Sequence, residues 1–367
     1  MAEQMKKWEE RVHKVEPYTP GEQPKIANIV KLNTNENPYP PAPSVKKVLS
    51  GFDVEQLRKY PDPSAGELVE AISKTYQVPS DQIFVGVGSD DVLAMSFLTF
   101  FHSKDPILFP DITYSFYDVW AKEFEIPFEQ IPLREDFTID PLDYIAKERG
   151  GHREGAIGGI VIPNPNAPTG LDANADAIKR IIEGNPDAVV IIDEAYVDFG
   201  ATSVLPLIEE YENLMVVQTF SKSRSLAGSR IGFGFGSKKL IKYLSDVKYS
   251  FNSYTMDSIT LKIGAAALSD SDYFDSCCQK IIKTREEAKV KLKALGFTFP
   301  DSKTNFIFAT HKRVRADKLF AALREAGIIV RYFSLPRIDN YLRITIGTDE
   351  QMQRLYDFLE DYLAREA

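Results

Sequence analysis

A lysine in a polar turn between two apolar runs is the residue of this chain best suited to covalent chemistry. Lys222 follows the apolar run Leu214–Val217, and a second apolar run, 231–235, brings the chain back. The pattern predicts strand, polar turn and strand, with the lysine in a cleft, where its amine can attack a carbonyl and form a Schiff base. Ser221 and Arg230 flank it as a hydroxyl and a cation that suit one phosphate group. A solvated lysine in a surface loop is the alternative.

Three further predicted strand ends carry polar residues, and ligands of open α/β sheets bind beyond such ends. Gly88-Ser89-Asp90 turns into a helix N-terminus, where free N–H groups attract an anion. Asn164–Gly170, NPNAPTG, is either a simple turn or part of a site. Asp193 ends a buried strand and needs a cation, which can be Arg, Lys or a protonated pyridine nitrogen. With Tyr196 for a phenolic oxygen and Lys222 for an aldehyde, the set describes pyridoxal 5′-phosphate.

The elements that must position these residues alternate between strands and helices from about Ser44 onward. We expect Ser89 to cap the helix that follows IFVGVG, and AVVIIDEAYVDF to be a strand buried on both faces. Alternation over some 200 residues predicts an α/β fold with a mostly parallel sheet covered on both sides. The sheet should have seven strands.

The two ends of the chain differ from this central part. Residues 1–44 are rich in Pro, Asn and Gly, and we expect an extended arm that packs with the small domain and a second subunit. Residues 45–265 should form the large cofactor-binding domain. Residues 266–367 should form a small α/β domain with a long helix, about 270–295, short strands near 305–309, 328–331 and 341–346, and helices about 315–326 and 349–365.

Composition excludes several classes of protein. The 367 residues carry a net charge of −9, and basic residues are scattered, which argues against nucleic-acid binding. No apolar run is long enough to span a membrane, and the charged N-terminus lacks the apolar centre of a signal peptide. The two cysteines are adjacent and the four histidines are far apart, so neither a disulfide framework nor a metal site is expected. We expect a cytoplasmic enzyme.

Four motifs in this order and spacing resemble the class I/II aminotransferases of the fold-type I pyridoxal-phosphate enzymes: NPNAPTG, DEAYVDF, SKSRSLAGSRIGF and LRITIGT. EPYTPGEQP, LNTNENPYP, GIIVRYF and LRITIGT more narrowly resemble the histidinol-phosphate branch of that family. The resemblance covers nearly the whole chain. It implies amino transfer between L-histidinol phosphate and 2-oxoglutarate, with glutamate and imidazole-acetol phosphate as products, in a homodimer with shared sites.

The resemblance also implies a role for each matching residue. Lys222 would form the Schiff base, Asp193 would hold the ring nitrogen and Tyr196 the ring oxygen. Tyr114 would stack on the ring. The phosphate group of the cofactor would be bound by Ser89, Asp90, Ser221 and Arg230, with Tyr60 reaching the phosphate of the neighbouring subunit. Arg343 would bind the carboxylate of the amino donor, and the pocket for the substrate phosphate would be lined by Tyr18, Asn35 and Arg331.

The chain departs from the family pattern at one position. NPNNPTG is the usual motif, and its second interior asparagine bonds the ring oxygen, whereas this chain has Ala167 there. Either Tyr196 acts alone at the ring oxygen or Asn166 is displaced to substitute.

Three other functions stay open at this point. The first is another pyridoxal-phosphate enzyme, either an aromatic-amino-acid aminotransferase or a decarboxylase of a phosphorylated amino acid such as threonine phosphate. The second is a nicotinamide-dependent dehydrogenase, suggested by GVGSDD and GFGFG, for which Asp105 or Asp111 would have to bind the ribose. The third is a cofactor-binding module without catalysis, which would not need the amine of Lys222.

Overall fold

The N-terminal arm lies against the smaller of two α/β units. The protein is described here by a computed structural model that covers residues 6–25 and 28–365; the remaining residues of the predicted arm and C-terminal domain, 1–5, 26–27 and 366–367, lie outside the described range. Strand β1 (Val30–Lys31) pairs in parallel with Ile328–Ile329, far along the chain. The arm therefore adds a strand to a segment of the small unit.

A seven-stranded sheet forms the centre of the large unit. Its strands are β2 (Ile83–Gly86), β3 (Ile107–Pro110), β4 (Phe128–Ile131), β5 (Gly159–Pro163), β6 (Val190–Asp193), β7 (Leu214–Thr219) and β8 (Gly232–Gly236). The order is β2-β8-β7-β6-β5-β3-β4, in which β8 is antiparallel to both neighbours and the other pairs are parallel. The predicted mostly parallel, seven-stranded sheet is confirmed.

Helices cover both faces of this sheet. They are α1 (Pro43–Ser50), α2 (Gly66–Tyr76), α3 (Ser89–Phe100), α4 (Tyr117–Glu123), α5 (Ala175–Gly184), α6 (Lys238–Phe251) and α7 (Ser258–Ser269). Alternate residues of β7 enter different cores: Leu214 and Val216 pack with α1, α2 and α7, whereas Met215 and Val217 pack with α3 and α6. Such strands are apolar on both faces because helices cover both.

The small unit has its own sheet and core. Its elements are α8 (Ser271–Ala294), β9 (Phe297–Thr298), β10 (Phe306–His311), α9 (Ala316–Glu325), β11 (Ile328–Ile329), β12 (Arg331–Tyr332), β13 (Leu342–Thr345) and α10 (Asp349–Arg365). The sheet order is β12-β13-β10-β9 and every pair is antiparallel. The change of core lies between Leu268 and Cys278, just beyond the expected boundary at residue 265.

Single turns of 3₁₀ helix connect several of these elements: Glu9–Arg11, Val54–Arg58, Ser80–Gln82, Pro141–Tyr144, Lys147–Arg149, Val197–Phe199, Leu205–Glu209 and Ala227–Ser229. Among the described helices, none is long and apolar enough to cross a membrane.

Three local predictions were wrong. The expected strand AVVIIDEAYVDF, residues 188–199, is a strand only over Val190–Asp193, because the chain then turns and Val197–Phe199 forms a 3₁₀ turn. Ser89 is the first residue of α3 and not its cap, because the chain enters the helix through Gly88 at φ 86° and no side chain caps the N-terminus. The predicted strand 328–331 is two strands, since Val330 separates β11, which pairs with the arm, from β12, which pairs with β13. The chain therefore changes sheets at one residue.

Candidate active site

A cleft of about 150 Å³ between the arm, the large unit and the small unit collects half of the predicted site residues. Its lining includes Tyr18, Asn35, Tyr114, Tyr196, Lys222, Arg331 and Arg343. These residues are more than 300 positions apart at the extremes, and only the pairing of the arm with the small unit brings them together.

Lys222 lies three residues beyond β7 and is held by the arm. Its Nζ donates to the carbonyl of Thr34 at 3.3 Å and lies 5.8 Å from the ring centre of Tyr196. The Asn37 amide donates to the carbonyls of Lys222 (3.1 Å) and Ser223 (3.0 Å). The arm thus contacts both the backbone and the amine of the lysine, which limits where that amine can go.

Asp193, the last residue of β6, is a buried carboxylate without a cation partner among the described residues. Its Oδ2 accepts a hydrogen bond from the Tyr117 hydroxyl at 2.8 Å, and its Oδ1 accepts one from the Ala195 N–H at 3.1 Å. Burial raises the pKa of Asp193 to about 6, and the hydrogen bond from Tyr117 opposes this rise. A positive group placed beside it would complete the site.

Tyr196 is oriented by the arm through Asn35. The Asn35 amide donates to the Tyr196 hydroxyl oxygen at 2.9 Å, and Thr345 Oγ1 donates to Asn35 Oδ1 at 3.0 Å. Asn35 is buried at φ 56°, a left-handed conformation that asparagine tolerates better than most residues. Because Asn35 donates, the Tyr196 proton is left free to be donated into the cleft.

The predicted phosphate-binding residues form a second cluster beside the cleft. Arg230 donates to Asp90 Oδ2 at 2.9 Å and approaches Ser221 Oγ at 3.5 Å. The Tyr114 hydroxyl donates to Asp90 Oδ1 at 2.8 Å and joins this cluster to the cleft. Burial and the adjacent Asp90 carboxylate raise the pKa of Tyr114 well above its usual value, so it stays a neutral donor.

Gly88 and Gly232 bring backbone close to this cluster. A Cβ on Gly88 would lie 2.4 Å from Arg230 Nη2, and a Cβ on Gly232 would lie 2.1 Å from the backbone nitrogen of Ser89. The N-terminus of α3 and the guanidinium therefore fit together only without side chains at both glycines. The free N–H groups and the cation make this corner suitable for a phosphate.

Arg331 and Arg343 face each other across β12 and β13 as a registered pair. Among the described residues, no carboxylate lies within ion-pair distance of either arginine. Arg343 donates from Nη2 to the Asn33 carbonyl at 2.9 Å, but its Nε is buried without an acceptor. Burial lowers the pKa of Arg343, and the charge of Arg331 adds to this effect. Two cations without counter-charges require anionic ligands.

The structure does not bring Asn166 or Tyr60 to the cleft. The Asn166 amide nitrogen is bonded to the Ile112 carbonyl at 2.9 Å and to Thr169 Oγ1 at 3.0 Å, and Ala167 lines the cleft instead. Of the two alternatives for the ring oxygen, Tyr196 is the one on the cleft. Tyr60 is 83% exposed and packs on Tyr254, with ring centres 4.7 Å apart.

Several site residues were not predicted. Tyr117, which bonds Asp193, carried a weak signal as the second tyrosine of DITYSFY, one helical turn after Tyr114. Asn37 was visible only as one of three asparagines in LNTNENPYP. Phe333, which lines the cleft beside Arg331, carried no signal of its own, because its place depends on the fold of the small unit.

Comparison with known proteins agrees with this geometry. The family model for aminotransferase class I and II matches residues 27–359. A histidinol-phosphate aminotransferase of Lactococcus lactis subsp. cremoris is 49% identical over 97% of this chain and 98% of its own length. A protein of the same name from Acinetobacter baumannii is 51% identical, with 97% of each chain covered.

Solved structures show the same fold. The histidinol-phosphate aminotransferase of Sinorhizobium meliloti, in complex with pyridoxal-5′-phosphate, superposes with a TM-score of 0.81 over 92% of both chains, at 22% identity. With a turn lysine, a buried carboxylate and a cationic pocket around one cleft, and with the family match over most of its length, this chain belongs to the class I and II aminotransferase family.

Proposed function

We propose that this chain transfers the amino group of L-histidinol phosphate to 2-oxoglutarate, with pyridoxal 5′-phosphate as cofactor, as a step of histidine biosynthesis. The products are imidazole-acetol phosphate and L-glutamate. The observation that carries the proposal is the pair Arg331 and Arg343, which share the cleft with Lys222 and have no carboxylate partner among the described residues. Relatives about half identical over nearly the full chain bear the name histidinol-phosphate aminotransferase, which supports this substrate.

The residues of the site fit the proposed cofactor. The narrow corner at Gly88, with Arg230 and Ser221 beside it, suits the phosphate group, and the buried Asp193 suits a protonated ring nitrogen. Tyr114 has an aromatic face for the ring. When bound, the cofactor supplies an aldehyde for amines and an electron-withdrawing ring.

Lys222 acts as the nucleophile and as the proton carrier. Its amine would hold the aldehyde of the bound cofactor, and with substrate in place it would take a proton from the substrate Cα as general base. The same group, now an acid, delivers a proton in the next step. Contacts of the arm with the lysine, through Thr34 and Asn37, keep the amine within the cleft for both transfers.

Asp193 and Tyr196 control charge in the site. The Asp193 carboxylate keeps the ring nitrogen protonated, because a positive group beside it removes the cost of burying its own charge. Tyr196 donates its proton to the ring oxygen, since Asn35 occupies its acceptor side. Neither role needs the missing asparagine at position 167.

The two arginines bind the anionic ends of two different substrates in turn. L-Histidinol phosphate brings a phosphate monoester and 2-oxoglutarate brings two carboxylates. Planar guanidinium groups bind both kinds of anion by donating paired hydrogen bonds. Tyr18, stacked on Phe116 at 4.0 Å between ring centres, closes the arm side of the pocket. The same two arginines can therefore bind both substrates in turn.

The functional unit we propose is a homodimer in which Tyr60 reaches the cofactor phosphate bound by the second copy. Tyr60, Phe251 and Tyr254 are exposed aromatic residues on neighbouring segments, and such exposed apolar surface is typical of an interface. Mixing Tyr60→Ala and Lys222→Ala subunits should restore activity, because one site of the mixed dimer then has both residues. Restoration would fail if each chain used its own Tyr60. The unpaired buried thiols of Cys277 and Cys278 suit the reducing cytoplasm proposed as its location.

An absorbance spectrum of the purified protein tests the proposed reaction. L-Histidinol phosphate, added without 2-oxoglutarate, should convert the visible band of the bound cofactor to a shorter-wavelength form, and Lys222→Ala should not show this conversion. Conversion by phenylalanine alone would indicate an aromatic aminotransferase. Carbon dioxide release from threonine phosphate would indicate a decarboxylase. No visible band after incubation with pyridoxal phosphate would overturn the cofactor assignment.

A further inference from the structure

The loop between β12 and β13, residues 333–341, reaches the cationic pocket at its first residue. Phe333 begins this loop and lines the cleft. Its ring centre lies 5.4 Å from the guanidinium carbon of Arg331 and 5.7 Å from that of Arg343. The position of the loop therefore sets the surroundings of both arginines.

Arg337, at the tip of this loop, crosses from the small unit to the large one. It donates from Nη1 to Asp111 Oδ2 at 2.8 Å, and from Nη2 to the carbonyls of Leu133 (2.8 Å) and Arg134 (2.9 Å). Asp111 directly follows β3, and its second oxygen accepts the N–H of Leu133 at 2.9 Å. The acceptors are thus prearranged just beyond the carboxyl ends of β3 and its neighbour at the sheet edge, β4.

The backbone of Arg337 is strained, and its neighbour is buried. Arg337 has φ 69°, a left-handed conformation that is unfavourable for a residue other than glycine. Ile338 is buried in a small apolar cluster with Ile112, Leu133 and Phe137. The side-chain contacts of Arg337 and Ile338 therefore hold the loop in a conformation that its backbone alone would not favour.

We propose that Arg337 and Asp111 form a positioning pair that holds loop 333–341 against the large unit and so places Phe333 and Arg331 for the phosphate end of the substrate. The role assigned to the substrate phosphate rests on the proposed function. Both side chains are partly exposed, at 38% and 25%, and ion pairs of this kind contribute little to global stability. Their loss should change substrate affinity far more than folding.

Steady-state kinetics of Arg337→Met test the pair. The KM for L-histidinol phosphate should rise about tenfold or more, because the cationic wall is no longer held, while kcat stays within about threefold. Arg337→Lys keeps the charge but loses the forked donor set and should lie between wild type and Arg337→Met. Asp111→Asn retains the acceptor for Leu133 and should resemble Arg337→Lys.

Arg315 offers a matched control. It pairs with Asp339 of the same loop at 3.4 Å, is also partly exposed, and makes its ion pairs within the small unit. Arg315→Met should leave KM within about twofold of wild type. Equal effects of Arg315→Met and Arg337→Met on KM would overturn the proposal, because they would reflect general loosening of the loop or loss of positive charge.

Amide hydrogen exchange separates this inference from the proposed function. Exchange in residues 333–341 should be faster in Arg337→Met than in wild type, with β10 unchanged, and this comparison needs no substrate. Equal exchange in both proteins overturns the positioning pair. Faster exchange with an unchanged KM also overturns it, because the loop would then move without consequence for the pocket. If wild type does not act on L-histidinol phosphate, the proposed function fails, and the exchange comparison alone decides whether the pair holds the loop.

Discussion

At the scale of single residues, the site depends on burying charge where only a ligand can balance it. Asp193 has its carboxylate deep in the sheet, and its two hydrogen-bond donors, Tyr117 and Ala195, are both neutral. Arg343 is its counterpart on the small unit, with a buried Nε that lacks an acceptor. Each group costs stability in the free protein and gains a partner when a ligand binds.

Replacing Asp193 with asparagine should change how stability depends on pH. The folded pKa, about 6, lies above the unfolded value of 3.8, so the folded protein binds the extra proton. As the pH rises from about 4 to about 6, the free energy of unfolding of wild type should therefore fall by roughly 3 kcal/mol relative to that of Asp193→Asn. This loss should persist above about pH 6. Urea denaturation of both cofactor-free proteins at several pH values measures this. Parallel curves would show that Asp193 ionises in the folded state as it does in the unfolded chain.

Tyr117→Phe should shift the acid limb of the pH–rate profile to higher pH. The lost hydrogen bond is one that lowers the pKa of Asp193, so less of the carboxylate is ionised at neutral pH. A hydrogen bond to a charged group contributes about 1.5–3 kcal/mol, so kcat/KM at pH 7 should fall about two- to fifteenfold and recover partly at higher pH.

Tyr144→Phe is the control for this shift, because the buried hydroxyl of Tyr144 has no hydrogen-bond partner in the part of the chain that the structure describes and lies outside the cleft. Its pH–rate profile should match wild type. A Tyr117→Phe profile that also matched wild type would remove Tyr117 from the control of Asp193.

At the scale of elements, the strands were predicted better than the connections. Strand β7 and the residues after β6 follow from apolar runs that end in polar residues, and α10 begins and ends where expected. Helix α7, SITLKIGAAALS, was not predicted, because small and apolar residues surround it and leave no amphipathic period. Helix α6 was not predicted either, although it carries a signal, since Ser237 caps it and Leu240, Ile241 and Leu244 are buried on one face.

Within the candidate site, too, local sequence patterns predicted some residues and could not specify the contacts of others. Lys222 and Asp193 follow from local pattern, because Asp193 ends a buried strand and Lys222 lies in the polar turn after another. The contacts of Asn37 with Lys222 and of Asn35 with Tyr196 depend on an arm that folds over the cleft, and no local pattern specifies them. Asn166 was a candidate because of its motif, but its amide is bonded away from the cleft.

Asp257→Ala should destabilise the protein through the N-terminus of α7. The carboxylate accepts the N–H groups of Ile259 and Thr260, both at 2.9 Å, so alanine leaves both donors without that acceptor. Loss of such a cap costs about 1–2 kcal/mol, measurable by urea denaturation. Asp257→Asn keeps an acceptor oxygen and should cost much less; equal losses in the two variants would mean that the charge and not the cap matters.

At the scale of the whole molecule, one buried arginine ties the large unit to the small one. Arg285 of α8 is 2% exposed and donates from Nη1 to the carbonyls of Phe199 (2.7 Å) and Thr304 (2.9 Å). Phe199 follows the active-site segment at Asp193 and packs in the core of the small unit. The segment that carries Asp193 and Tyr196 is therefore built into both units.

Arg285→Met should destabilise the whole protein by about 2–5 kcal/mol, because two buried carbonyls lose their donor. The unfolding midpoint in urea measures this loss. Lys289→Met is a suitable comparison on the same helix, since Lys289 pairs with the exposed carboxylates of Glu286 and Asp301 and should matter less. A smaller loss for Arg285→Met than for Lys289→Met would contradict the assigned role.

The contacts of the arm determine when the cleft can exist during synthesis. Asn33 and Asn35 emerge from the ribosome early, but the residues they bond, Arg343 and Thr345, follow 310 positions later. At about 5–20 residues per second, this separation corresponds to roughly 15–60 s of translation. Until then the arm does not cover Lys222, and the cationic pocket lacks the residues that the small unit contributes. A chain that terminates before β13 thus has the turn lysine but lacks Arg343 and Thr345, so it cannot form this cleft.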